Sequence, residues 1–273
     1  EMIDENSRVL IIGAGLIGLK CAEGLCGRVK KITVCDLADR VLSSILDGEC
    51  AEIVAEKLTQ NGIELMLADT AESFDKNTAK MKSGKTVEFD VLVTAVGVRP
   101  NLALLKESGA NINRGVLVND KMETSAADIY AAGDITEAED SSSGTKKVMA
   151  ILPNAYMGGY CAGCNMAGTE NRFDNQIPMN SIGFFGYHMM TAGSYDGELY
   201  EEKTDDGIKK LYVRDNRLVG FIILGNVDRA GIYTSLIRNK TPLDTIDFDL
   251  IKKNPSLLPF SCEYRGKTLG GVV

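Results

Sequence analysis

Residues 8–12, Arg-Val-Leu-Ile-Ile, form a short apolar run that stops at a glycine. A run of this length bounded by turn formers reads as a buried parallel strand. A helix is predicted over about 16–27, with Leu16, Leu19, Ala22 and Leu25 on one stripe. A second strand follows at 31–35, then a helix at 47–61 that Asn61-Gly62 closes. Strands are predicted at 63–67 and 89–96, with a hairpin of 78–83 and 86–88 about Ser83-Gly84 between them. This β-α-β-α-β order with antiparallel additions predicts an α/β domain built on a parallel sheet. After Arg99-Pro100-Asn101 the pattern predicts a helix to about Ser108. A second unit then shows strands at 116–118 and 129–132 and a helix at 153–168, with 135–147 reading as a polar surface loop. Beyond about 172, alternating segments at 208–213 and 217–224, a helix at 229–239 and a proline-punctuated tail predict a small α+β domain.

The first strand-to-helix turn carries Gly13-Ala14-Gly15-Leu16-Ile17-Gly18. A bare G-x-G-x-x-G is weak evidence. Here it follows a strand, opens a helix, and is followed by a second strand ending in Asp36, 18 residues past Gly18, close to the ~20 expected for a ribose-binding carboxylate. Gly13 permits the tight turn, Gly15 lets backbone approach a pyrophosphate at the helix N-terminus, and Gly18 lets helix and strand pack closely. Asp36 can accept hydrogen bonds from both ribose hydroxyls and would repel a 2′-phosphate, which favours NAD(H) over NADP(H). A glycine-rich turn with no ligand is the plainer alternative, against which all the context elements stand.

A second motif runs Thr124-Ser125-Ala126-Ala127-Asp128-Ile129-Tyr130-Ala131-Ala132-Gly133-Asp134. By chemistry alone it is an apolar strand ending in small residues and a carboxylate. Open α/β sheets place ligand contacts at that end of a strand. A solvated turn aspartate explains the same stretch equally well.

Taken together, the glycine fingerprint, Ala95-Val96-Gly97-Val98-Arg99-Pro100-Asn101 and Ile129-Tyr130-Ala131-Ala132-Gly133-Asp134 resemble the ordered signatures of the pyridine nucleotide-disulfide oxidoreductase superfamily, across essentially the whole chain. The resemblance implies a Rossmann-like, two-dinucleotide-binding α/β architecture (glutathione-reductase-like) with a small α+β C-terminal domain. It implies that Gly133 and Asp134 bind the ribityl and pyrophosphate part of FAD. It places Gly97 beside the pyridine nucleotide, and Pro153, Asn154 and Ala155 near the flavin. Leu211-Tyr212-Val213, Arg217-Leu218-Val219-Gly220-Phe221 and Gly231-Ile232-Tyr233-Thr234 are similar to the small terminal domain of NADH:rubredoxin reductases and to the flavin module of NADH-dependent nitrite reductase large subunits. These relatives pass electrons from NADH through FAD to an iron protein or another redox centre. The expected domains are 1–108 for NAD(H), 109–171 as the C-terminal portion of an FAD domain, and 172–273.

The sequence also departs from the family. An earlier FAD-binding half with its own glycine fingerprint normally precedes the NAD unit, and the chain opens on Glu1 rather than Met. The expectation is therefore a truncated piece of a larger flavoenzyme. Its 109–171 region should expose backbone and apolar surface, and be disordered, covered by a neighbouring chain, or completed by the missing half as partner. Lys20 stands where relatives commonly carry Glu near the nicotinamide. Leu37 stands where NADP(H)-using relatives carry Arg.

The 273-residue length is compatible with about two domains. The net charge of −8 argues against nucleic acid and anionic membranes as partners. No apolar run reaches the ~18 residues of a membrane span. Seven cysteines, an odd number in a chain this long, point to a reducing cytoplasm rather than a disulfide framework. Cys161 and Cys164 read as small packing residues rather than a redox pair, no metal ligand set is evident, and the single histidine, His188, reads as structural. The functional expectation is an NADH-dependent FAD oxidoreductase that donates electrons to a protein redox acceptor, with no catalytic acid or base among its side chains. The alternatives are an NAD(H)-binding fragment that holds FAD poorly and does not turn over, or an NADH oxidase or CoA-disulfide reductase whose redox cysteine lies in the missing half. A homodimer is a further expected assembly.

Overall fold

A computed structural model describes residues 3–269. By its internal contacts the chain divides into two units, the first running to Val98 and including Ile182–His188, the second comprising Arg99–Ser181 and the remainder from Met189.

In the first unit the apolar runs become β1 (Arg8–Ile12), β2 (Lys31–Asp36) and β3 (Ile63–Leu67), separated by α1 (Leu16–Leu25) and α2 (Gly48–Gln60). A meander of β4 (Ala71–Asp75), β5 (Thr78–Met81) and β6 (Thr86–Glu88) leads to β7 (Val91–Thr94). The main sheet has the order β3-β2-β1-β7 and all its pairs are parallel. Alternation along the strands divides the core. Leu10 and Cys35 pack with Ala79, Met81 and Phe89 of the meander side. The neighbouring Ile11 and Val34 therefore point to the opposite face and, like Leu19, Ala22, Val54 and Leu58 of the helices, are buried. Asp47 caps α2 by accepting from the Cys50 amide at 2.9 Å, and Gly62, with φ +83°, stops it as expected.

The second unit starts with a small sheet. β8 (Val116–Leu117) lies parallel to β9 (Thr136–Asp140), which pairs antiparallel with β10 (Thr145–Val148). Two strand expectations change here. The stretch at 129–132 makes only an isolated bridge, Glu123 to Tyr130, because Asp128 turns the chain at φ +60° just before it. The polar stretch 135–147, expected as a loop, instead holds β9 and β10. Its buried carboxylates are satisfied: Glu137 accepts from the Arg114 and Gly115 amides, each at 3.0 Å, and Asp140 accepts from Ser142 and Ser143 and pairs with Lys147 at 2.6 Å. The helix expected before Ser108 shrinks to one 3-10 turn, Ala103–Leu105, none of whose residues is buried.

α3 (Leu152–Met166) packs Cys161 and Ala162 against Val118, Met122 and Phe173. A five-stranded sheet follows, ordered β11-β12-β15-β14-β13, from β11 (Met179–Phe184), β12 (Tyr187–Gly193), β13 (Glu198–Thr204), β14 (Gly207–Arg214) and β15 (Arg217–Leu224). Its face is covered by α4 (Gly231–Arg238) and α5 (Phe248–Lys253), with Leu211, Phe221, Tyr233, Ile237 and Ile251 in one core. α6 (Cys262–Leu269) ends the described chain. The mixed α/β class with a C-terminal α+β portion is thus the one the sequence predicts. No helix among the described residues is long and apolar enough to cross a membrane.

Candidate functional site

The three glycines between β1 and α1 do three different things. Gly13 has φ +112° and donates its amide to Cys35 O at 2.8 Å, which bends the chain out of the sheet. A Cβ on Gly13 would lie 2.3 Å from Ala95 O, and one on Gly18 would lie 1.9 Å from Gly13 O. Both positions are therefore closed to any larger residue. A Cβ on Gly15 meets nothing within 4 Å, so that glycine faces open space. It is also the N-cap of α1, with no side-chain cap and no acid in the first turn. The first-turn N–H groups of α1 thus lack intrahelical partners and present a partial positive charge.

Open space here means a cavity of about 560 Å³, lined by residues 12–17, Asp36, Leu37, Ser43, Ser44, Thr70 and 95–98. Asp36 sits at its lip, held by two amides: Ala14 N donates to Oδ2 at 2.6 Å and Ala38 N to Oδ1 at 2.8 Å. Each oxygen retains acceptor capacity. Ile17, Leu37, Val96 and Val98 leave their side chains exposed around the opening, and Gly97 turns between the two valines at φ +99°. The structure thus brings together Gly13, Ala14, Gly15, Leu16, Ile17, Asp36 and Gly97, with Gly18 buttressing from behind. Ser43, Ser44 and Thr70 were not legible in advance, because they come from loops that only the fold brings to the cavity.

Lys20 is engaged elsewhere. It pairs with Glu23, donates to Gly183 O at 2.9 Å and lies 5.5 Å from the Phe184 ring. Glu23 in turn accepts the Phe185 amide at 2.6 Å. Lys20 therefore holds the 182–188 hairpin tip onto α1, and His188 lies exposed at that tip.

The second set of expected positions gathers at the start of α3. Gly133 has φ +83°, and a Cβ there would stand 3.6 Å from Ala155 Cβ. Its carbonyl accepts from the Thr136 amide and hydroxyl at 3.0 and 2.7 Å. Asp134 is exposed. α3 begins with Pro153 in its first turn and has neither a side-chain cap nor an acid there, so it too presents unfilled amides. Asn154 is buried with its carboxamide turned inward: Nδ2 donates to Ile177 O at 3.1 Å and Oδ1 accepts from Arg238 at 3.3 Å. Arg238 is the residue at this place that sequence reasoning missed, since it lies 84 positions from Asn154.

The cysteines are all free. Cys161 is buried, and its thiol points at the carbonyls of Asp120 and Asn171. Burial pushes that thiol above its ordinary pKa, which suits packing rather than redox chemistry. No cluster of metal-ligating side chains occurs among the described residues.

A family model described as pyridine nucleotide-disulphide oxidoreductase matches residues 2–159. The chain is 30% identical over 254 residues to the NADH-dependent phenylglyoxylate dehydrogenase subunit epsilon of Aromatoleum evansii, covering 88% of this chain and 60% of that protein. It is 38% identical over 134 residues to the nitric oxide reductase FlRd-NAD(+) reductase of Escherichia coli, covering 48% and 36% respectively. The chain thus spans three fifths or less of the length of these curated relatives. Among solved structures, it superposes on the covalent putidaredoxin reductase–putidaredoxin complex with a TM-score of 0.81 at 18% identity, over 92% of this chain and 61% of that one. At that identity the likeness is one of fold.

Proposed function

Since the chain belongs to the pyridine nucleotide-disulphide oxidoreductase family, we propose that it is the NADH-binding and flavin-facing part of an oxidoreductase that passes electrons from NADH through FAD to a protein redox acceptor. The observation that carries this reading is Asp36, fixed by the Ala14 and Ala38 amides at the lip of the glycine-turn cavity. The open face at Gly15 and the uncapped start of α1 receive the pyrophosphate. Asp36 takes the ribose hydroxyls and repels a 2′-phosphate, and Leu37 offers such a phosphate no cation. Gly97 leaves room for the nicotinamide.

For FAD, the fit rests on the left-handed Gly133 packed against Ala155, the uncapped first turn of α3, and the buried Arg238 Nε without a partner. Gly133 and Asp134 would hold its ribityl and pyrophosphate part. Pro153, Asn154 and Ala155 would lie by the ring system, with the Asn154 side chain bracing the turn from inside. FAD, when bound, supplies two-electron acceptance and stepwise electron release. The protein's part is then to bind, orient and exclude water. A protein acceptor is supported by the relative named as an FlRd-NAD(+) reductase. Accordingly we assign 1–108 to NAD(H), 109–171 to FAD and 172–273 to the small C-terminal domain, and the seven free cysteines support a reducing, cytoplasmic setting.

The test is a parallel titration with NADH and NADPH, followed by protein fluorescence. NADH binds more tightly, and Asp36→Ala weakens NADH about tenfold to a hundredfold while erasing the preference, as expected for losing charge-assisted hydrogen bonds. Equal affinity of the unmodified protein for both nucleotides refutes the assignment of Asp36.

A further inference from the structure

Arg238, at the C-terminal end of α4, is a guanidinium with no counter-ion among the described residues. Its Nη2 donates to Asn154 Oδ1 at 3.3 Å and lies 3.8 Å from Met179 Sδ, and its Nη1 points to Met157 Sδ at 3.2 Å. Its Nε is buried with no hydrogen-bond partner. Arg8, by contrast, pairs with Asp90 and Arg214 with Asp196. Burial draws the Arg238 pKa below the ordinary value for arginine. Arg238 is half-buried, and its Nε, shut away from water and from any partner, makes a neighbouring anion favourable. The C-terminal dipole of α4 offsets part of the cost of this burial, but it does not explain why the fork reaches across to α3.

What the fork holds is the first turn of α3. Asn154 is clamped from both sides, by Ile177 O and by Arg238. The uncapped amides of that turn already carry partial positive charge, and Arg238 adds a full charge behind them. Two positive sources therefore meet at the first turn of α3, and the carboxylate that stands near them, Asp134 beside Gly133, is exposed to solvent rather than paired with Arg238.

We infer that Arg238 is a positioning residue of the flavin site, bracing the α3 turn through Asn154 and favouring the negatively charged reduced flavin over the neutral oxidised form. The charge arises in the transfer itself: NADH gives up a hydride, two electrons with one proton, NAD(+) leaves, and the reduced flavin keeps one negative charge. This inference rests on the reading of α3 as part of an FAD site.

The experiment measures the flavin reduction potential of the FAD-loaded protein by dye equilibration, for the unmodified protein, Arg238→Met and Arg238→Lys, with thermal unfolding alongside. Arg238→Met shifts the two-electron equilibrium at least tenfold toward the oxidised flavin, a fall of about 30 mV. Arg238→Lys, which keeps the charge and loses the fork, stays within about threefold of the unmodified protein. Where Arg238→Met does not fold, Arg238→Gln gives the same neutral comparison. Potentials that coincide while only the melting temperature moves overturn the inference and leave the flavin reading intact. Failure of the unmodified protein to take up FAD overturns the flavin reading itself, and this inference with it.

Discussion

Asp36 and Asp134 each follow a run of apolar and small residues, yet the fold treats them differently: Asp36 ends β2, whereas Asp134 lies just before β9. Asp36 is gripped by two backbone amides at the lip of an open cavity whose lining residues all belong to its own unit. Asp134 is exposed, and the helix beyond it leaves Leu152 and Tyr156 at 83% and 76% exposure, with Tyr160 and Met166 also open. The first site is built around one contiguous β-α-β passage with the chain just after β7 beside it, and Ser43, Ser44 and Thr70 reach it from loops of the same unit. The second is braced from far along the chain, by Ile177 and Arg238. A site made of near neighbours in sequence can be complete inside one unit. A site braced by distant residues depends on packing that the surrounding sequence does not announce.

The sharpest way to break this comparison is to spoil the backbone contact on which the first site rests. Gly18→Ala places a methyl 1.9 Å from Gly13 O, where neither backbone can yield. It should cost about 3 kcal/mol or more in denaturant unfolding. Gly15→Ala, whose Cβ meets nothing, should unfold like the unmodified protein and lose only nucleotide affinity.

A smaller effect separates the two units by pH. Burial, with the charges of Asp69 and Asp36 adding to it, pushes the Cys35 thiol of the first unit up to about 11 from an ordinary 9.0. A raised pKa stabilises the fold below the unfolded value and loses that contribution as pH climbs from 9.0 toward about 11, roughly 3 kcal/mol in all. In the second unit burial pushes the Asp140 carboxyl up, but Lys147, Ser142 and Ser143 together pull it further down, to below its ordinary 3.8. That contribution is present above pH 3.8 and fades as pH falls below it. Cys35→Ala should flatten the alkaline limb of the stability profile, and Asp140→Asn the acid limb, each read from denaturant midpoints across pH.

The smallest effect is expected on the open face of α3. Tyr156→Ser should change the stability of this chain by no more than about 0.5 kcal/mol, because so little of the ring is buried. A loss of several kcal/mol on thermal or denaturant unfolding would mean that this face is packed after all.

Much of the first unit was legible because its signals are local. Apolar runs mark β1, β2, β3 and β7, Asn61-Gly62 marks the end of α2, and the glycine spacing with Asp36 marks the cavity before any contact is known. Ser43, Ser44 and Thr70 were not legible there, since loops acquire a site only when the fold folds them toward it. β9 was hidden for another reason. Thr-Glu-Ala-Glu-Asp at 136–140 reads as solvated loop, yet four of its five residues are buried, because amides at 114 and 115 and hydroxyls at 142 and 143 meet its carboxylates.

The sequence by itself determined the parallel α/β unit, the three-glycine turn and the acid that faces it, since hydrophobic period and the need for backbone without a Cβ act over a few residues. Only the tertiary structure decided that polar β9 enters a sheet, that Lys20 serves a hairpin tip, and that Arg238 reaches Asn154. Those outcomes depend on whether a buried polar group finds its partner, and partners far apart in the chain meet only in the folded state.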